Sequence, residues 1–125
     1  WDTINDLRIE RIGHGVHAIE DPKLVDYLAE TGLVLEVNPG SNIALGVYSS
    51  LGQHPIAKLR DAGVKVTVST DDPPFFHTDM TQEFEQLERV FGWGVDDFHA
   101  LNATALDAAF CDADTKEALA KTLEN

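Results

Sequence analysis

Two adjacent carboxylates, Asp71 and Asp72, stand in the run Ser69-Thr70-Asp71-Asp72-Pro73-Pro74. Side by side they repel each other, and burying the pair without a counter-charge is costly, so a divalent cation or a cationic ligand would relieve it. The same Asp-Asp-Pro string also serves as a turn in which Asp accepts backbone hydrogen bonds. His14 lies between Gly13 and Gly15, and flanking glycines allow close backbone approach in a packed site or, equally, in a surface turn. A third polar string is Asn38-Pro39-Gly40-Ser41-Asn42. Of the other histidines, His17 lines the same mouth as His14 or bonds the backbone. His54, before Pro55, reads as a helix cap; His77, beyond the Asp pair, faces the site or solvent; His99 falls inside a helical pattern. Asp96-Asp97 reads as a helix start, where negative charge suits the dipole. Phosphate-loop, Cys-x-x-Cys and Gly-x-Ser-x-Gly patterns are absent, which leaves metal-assisted or carboxylate chemistry as the main enzymatic routes.

The elements that must position these residues show in the punctuation. Asp21-Pro22 opens a helix carrying Leu24, Val25 and Leu28, and Gly32 ends it. The apolar run Leu33–Val37 follows, and its branched residues suit a strand buried on both faces. The order repeats: His54-Pro55 opens a helix with Ile56, Leu59 and Ala62, Gly63 closes it, and residues 64–68 form the next strand. Residues 7–12 read as a shorter strand entering the Gly13-His14-Gly15 loop. Strands alternating with helices, too far apart for hairpins, imply parallel strands with right-handed crossovers, hence an α/β fold. Each polar string then follows a strand, at the end where parallel α/β folds collect their functional groups.

Beyond Pro73-Pro74 only helical patterns remain: Phe84, Leu87 and Phe91; then Phe98, Leu101 and Ala105; then Ala118, Leu119, Thr122 and Leu123. Asp79 with Gln82, and Asp114 with Glu117, have capping-box spacing. The chain has 125 residues, 9 Lys plus Arg against 22 Asp plus Glu, and a net charge of −13. That field repels phosphate backbones and anionic lipids, so binding to nucleic acid or to a membrane surface by charge is disfavoured. A hydrophobic share of 43% with 25% charged residues fits a folded, soluble domain rather than a disordered chain or a membrane span. The single cysteine, Cys111, cannot form an internal disulfide, and no secretory run opens the chain, so a cytoplasmic setting is expected. Three parallel strands close no barrel, and an eight-stranded one takes about 250 residues. Residues 1–125 therefore read as the C-terminal part of a larger domain.

Arg11-Ile12-Gly13-His14-Gly15, Pro39-Gly40-Ser41-Asn42 and Ser69-Thr70-Asp71-Asp72-Pro73 resemble, in order and approximate spacing, the C-terminal motifs of the adenosine deaminase family. The resemblance runs from about Glu10 to the end of the chain. Each motif alone is weak; the ordered set is specific. It implies a zinc-dependent (β/α)8 barrel, of which this chain would hold the last three βα units plus terminal helices, hydrolysing the 6-amino group of a purine nucleoside and releasing ammonia. Asp71 then matches the carboxylate zinc ligand. Asp72 matches the carboxylate that hydrogen-bonds the purine ring, and His14 the histidine beside the zinc-bound water.

The family's other ligands, a His-x-His pair on the first strand and a histidine on the fifth followed by the glutamate proton donor, are not in these residues. Asn38 stands where many members carry cysteine. Zinc binding and activity would therefore require the missing N-terminal part of the barrel. The resemblance implies adenosine as substrate, with adenine the alternative, since residues that distinguish the two lie partly outside the chain. A reading of another class remains open, a non-catalytic α/β domain whose acidic loops bind a cation or a protein.

Overall fold

A computed structural model describes residues 1–123. Its elements in chain order are α1 (Asp2–Asp6), β1 (Arg11–Gly13), α2 (Pro22–Thr31), β2 (Val34–Val37), α3 (Pro39–Ala44), α4 (Ile56–Asp61), β3 (Val66–Val68), α5 (Pro73–Phe76), α6 (Met80–Phe91), α7 (Val95–Ala108) and α8 (Ala113–Leu123), with 3-10 turns at Val16–Glu20 and Leu51–Gln53. The three strands form one parallel sheet in the order β1-β2-β3, so the α/β reading holds.

Local chemistry explains the helix ends. Asp21 accepts from the Lys23 amide at 3.0 Å, Pro22 fills the first turn, and Gly32 ends α2 in the left-handed region. Asp79 accepts from the Gln82 amide at 2.9 Å, as its spacing predicts. The second predicted box is displaced: Asp112, not Asp114, caps α8, accepting from the Thr115 amide at 2.8 Å. Asp114 is instead the second residue of α8, where its charge suits the dipole. Asp97 does sit at a helix start, accepting from the Gly94 amide at 2.8 Å and pairing with Arg60 at 2.7 Å, which ties α7 to α4.

Strand lengths are shorter than the apolar runs. Residues 7–10 lie outside β1, because a parallel strand extends only as far as its partner, and β2 pairs with β1 from Arg11↔Val34 to Gly13↔Glu36. Val64 falls outside β3; its amide donates to the Leu59 carbonyl at 3.0 Å, at the end of α4. The core is formed by Leu28 from α2, Leu35 and Val37 from β2, Ile56 and Leu59 from α4 and Leu87 from α6, all fully buried. Leu101 carries α7 into it, and Phe84 stacks on Phe98 at 4.6 Å between centroids. The stripe predicted for α8 does not reach the core: no described residue of α8 is buried and Leu119 is exposed. The helix packs chiefly on α7, and its small alanines give it little apolar area to bury.

One buried polar group fixes how α4 meets α3. His54 is fully enclosed; its Nδ1 accepts from the Ile56 amide at 3.2 Å, and its Nε2 lies 3.0 Å from Asn42 Oδ1. Nδ1 accepts, so Nε2 carries the single proton and donates to Asn42, the tautomer of a neutral imidazole. Burial lowers its pKa from 6.5 to about 4. The unfolded imidazole takes up a proton near pH 6.5 while the folded one resists until about pH 4, so this contribution is complete above pH 6.5 and is lost as the pH falls between those values. Its size is about 3 kcal/mol, from 1.36 kcal/mol per pKa unit and a shift from 6.5 to about 4. Urea unfolding at pH 7 and pH 4.5 should show His54→Gln losing much less stability on acidification than the unsubstituted protein; equal losses would place the acid sensitivity elsewhere.

Candidate functional site

Each strand ends against the next. The His14 amide donates to the Glu36 carbonyl at 2.8 Å, and the Ser69 amide to the Val37 carbonyl at 2.9 Å, so the ladder runs on past the strand ends and aligns the three polar strings. The backbone then turns sharply. Among the described residues His14, Asp71 and His77 are the non-glycine positions in the left-handed region, with φ of 62°, 61° and 52°. Such conformations persist where surrounding contacts hold them, and they concentrate at functional sites. Gly15 is held to glycine twice over, by φ of 66° and by Leu35 Cδ2, which a Cβ would meet at 2.8 Å.

Asp71 is at the centre. Its Oδ2 accepts from Ser41 Oγ at 2.7 Å and lies 3.9 Å from His14 Nε2. Asn38, oriented so that its amide is satisfied, donates to the Glu36 carbonyl at 3.1 Å and accepts from the Asp71 amide at 3.2 Å. Side chains that follow the first two strands thus meet the carboxylate that follows the third. His14 is half exposed, so its pairing with Asp71 contributes little stability and leaves the ring accessible. Asp72, next in sequence, makes different contacts. It opens α5, makes no side-chain cap bond, and is exposed.

His14 lines two depressions. A polar hollow of about 280 Å³ runs over the sheet past Gly13, Glu36, Asn38, Thr67 and Ser69. An apolar groove of about 500 Å³ on the other side also takes in His17, Leu35, Asn42 and Leu45. His17 therefore shares a mouth with His14, although its Nδ1 is held by Glu20 Oε1 at 2.7 Å. His54 reads from the sequence as the cap of α4; the N-cap is Pro55, and His54 instead accepts from the Ile56 amide at 3.2 Å. His77 ends α5, and both His77 and His99 are exposed, with no hydrogen bond or ion pair to the Asp71 cluster.

Three residues around the cluster carried no predicted role. Asn38 and Ser41 lay within a polar string, but nothing in the string says which members turn toward Asp71. Their buried state, 7% and 0% exposed, is a tertiary fact. Buried Glu83 accepts from the Gly40 amide at 3.0 Å, 43 residues distant, and helical periodicity gave no sign of it.

Asp71 has one oxygen engaged by Ser41, and its Oδ1 makes no hydrogen bond among the described residues. That suits one ligand of a hard or borderline cation. A structural or catalytic zinc takes three or four protein donors, and among the described residues no group of three or more His, Cys, Asp or Glu could hold one. The residues fit one contribution to a metal site whose remaining donors would have to come from outside the described residues.

The family described as Adenosine deaminase matches residues 1–125. Adenine deaminases from Rhizobium johnstonii and Rhizobium rhizogenes are 52% and 54% identical over 118 residues, covering 94% of this chain and 37% of each relative. The crystal structure of adenine deaminase from Arthrobacter aurescens superposes with a TM-score of 0.93 at 30% identity, over 98% of this chain and 38% of that one. A Burkholderia ambifaria amidohydrolase with bound Zn gives 0.86 at 26% identity, over 98% of this chain and 35% of that one. The chain thus spans little more than a third of these proteins, and three strands of eight, about 37%, is the share that the last βα units of a (β/α)8 barrel would take. Matched by the family along its whole length and superposing closely on members that it covers only in part, the chain belongs to the adenosine deaminase family, as the C-terminal part of its barrel.

Proposed function

We propose that these residues form the C-terminal part of a zinc-dependent enzyme that hydrolytically deaminates a 6-aminopurine, with adenine as substrate. The resemblance alone implies adenosine; the observation that carries adenine is the identity of 52% and 54% to relatives named adenine deaminase. The strand-end cluster of His14, Ser41 and Asp71 supplies the chemistry for it. The neighbour with bound Zn supports the choice of metal. The substrate is a small purine and not a nucleic acid, and the net charge of −13 is consistent with that. Among the described residues no helix is long and apolar enough to cross a membrane, and a cytoplasmic setting remains part of the proposal.

In this reading Asp71 holds the metal through its carboxylate, with Ser41 fixing the carboxylate's rotation. With zinc held there, the site would have a water acidified to a pKa of about 7. His14 orients the attacking oxygen and stabilises charge as the tetrahedral centre forms. Asp72, free of the helix it opens, takes the purine edge. An ionised carboxylate only accepts, so a bond to a ring nitrogen requires a proton shared between them.

The 125 residues alone lack the other donors and should bind no zinc tightly in equilibrium dialysis, and should show no deaminase activity. One tightly held zinc per chain would contradict this. In the full-length protein Asp71→Ala should lower zinc content and activity together. His14→Ala should keep most of its zinc while kcat falls by about 10²–10³-fold, the usual loss for one transition-state donor. Metal analysis beside kinetics separates the two, and a His14 variant as depleted of metal as the Asp71 variant would overturn the division of roles.

Asp72→Ala should keep its zinc and lose about 10- to 100-fold in kcat/KM for adenine, the value of one charged hydrogen bond. Against an analogue lacking the ring nitrogen that Asp72 contacts, the loss should be much smaller, because the contact is already missing. Equal losses on both would mean that Asp72 does not read the purine. Comparing adenine with adenosine by ultraviolet absorbance decides the substrate, and no change with either would favour the binding-domain reading.

A further inference from the structure

Glu83 is an acid in an expensive place. It lies in the first turn of α6 but does not return to its own helix end, where Asp79 already accepts from both the amide and the side chain of Gln82. It turns inward to 1% exposure, and no Lys, Arg or His pairs with it among the described residues. A buried carboxylate without a counter-ion survives only where hydrogen bonds answer its oxygens. Here Oε2 accepts from the Gly40 amide at 3.0 Å and Oε1 from Thr78 Oγ1 at 2.9 Å.

Those two donors belong to the segments on either side of Asp71. Gly40 lies in the first turn of α3, directly before Ser41, whose hydroxyl donates to Asp71 Oδ2 at 2.7 Å. Thr78 follows α5 and closes the stretch that begins at Asp71 and Asp72. One carboxylate therefore clamps the element that presents Ser41 and the segment that carries Asp71. The fit is tight: a Cβ on Gly40 would fall 2.1 Å from Glu83 Oε1, so the carboxylate occupies the volume of the missing side chain. Gly40 has no positive φ, so space and not backbone freedom requires glycine there.

We propose that Glu83 is a positioning residue that holds Ser41 against Asp71, and thereby sets how firmly the site keeps its metal, by the reach of its side chain and not by its charge. The metal part rests on the deaminase reading above; the clamp itself does not. Substitutions in the full-length protein separate reach from charge. Glu83→Gln keeps the length, accepts from Gly40 and donates to the Thr78 hydroxyl, so zinc affinity measured by chelator competition should stay within a few-fold of the unsubstituted protein. Glu83→Asp keeps the charge but is a methylene short, and should bind zinc about 10- to 100-fold more weakly, the usual effect of losing an outer contact to a metal ligand. Leu87→Ala, fully buried on the same helix, should lower Tm and leave zinc affinity unchanged. Crystal structures of the Asp and Gln variants should show the Ser41–Asp71 bond broken in the first and kept in the second.

Normal zinc affinity in Glu83→Asp, a Glu83→Gln variant as weak as Glu83→Asp, or an equal loss in Leu87→Ala would overturn the proposal. Should the unsubstituted protein neither bind zinc nor deaminate adenine, the deaminase reading fails, and the Ser41–Asp71 distance in the two crystal structures still decides the clamp.

Discussion

The site depends first on the register of a three-stranded parallel ladder. Gly13, Glu36 and Thr67 stand at one level, so the residues just beyond them emerge together at the same edge. Alternation along each strand sends Leu35, Val37 and Val66 into the core under the helices, and sends Gly13, Glu36 and Thr67 to the polar hollow. A slip of one residue in β2 would exchange those two faces and bury Glu36 in place of Leu35. The apolar core and the polar cluster are thus two consequences of one alignment.

Beyond the strand ends, hydrogen bonds take over from the ladder. The Glu36 carbonyl receives both the His14 amide and the Asn38 side chain, and Asn38 in turn holds the amide of Asp71, where the backbone is left-handed. Two strained turns are thereby tied to one carbonyl. Two deeply buried ionisable groups, His54 and Glu83, work at different distances from this point. His54 is neutral and joins α4 to Asn42 on α3, which is a matter of packing. Glu83 reaches the other end of the same short helix and meets the residue beside Ser41.

The sheet's polar face carries a further sign of the larger architecture. Arg11 and Glu36 pair at 3.0 Å across β1 and β2, Arg11 also donates to the Ala108 carbonyl at 3.1 Å, and its guanidinium stacks 3.7 Å from the ring of Phe110. Charged residues pointing off a strand make sense on the inside of a barrel, where the chain following α7 covers one end. The outer edges of β1 and β3 pair with no other strand among the described residues, and a closed barrel pairs both. The partial coverage of the relatives agrees with that geometry.

Much of this was legible in the residues themselves. Helix starts and stops at Asp21-Pro22, Gly32 and Asp79, the repeated helix-glycine-strand order, the parallel α/β class and the three polar strings all follow from interactions within a few positions in the chain. Strand length was not legible, because residues 7–10 have the right composition but no partner, and pairing belongs to two strands at once. Nor was α3, which read only as a polar string and whose first turn is held by an acid 43 residues away. The types of His14, Asp71 and Asp72 marked them as candidates. That Ser41, Asn38 and His14 would meet Asp71, while Asp72 turned aside, was decided only by the folded structure, since a side chain's direction depends on backbone angles that distant hydrogen bonds impose.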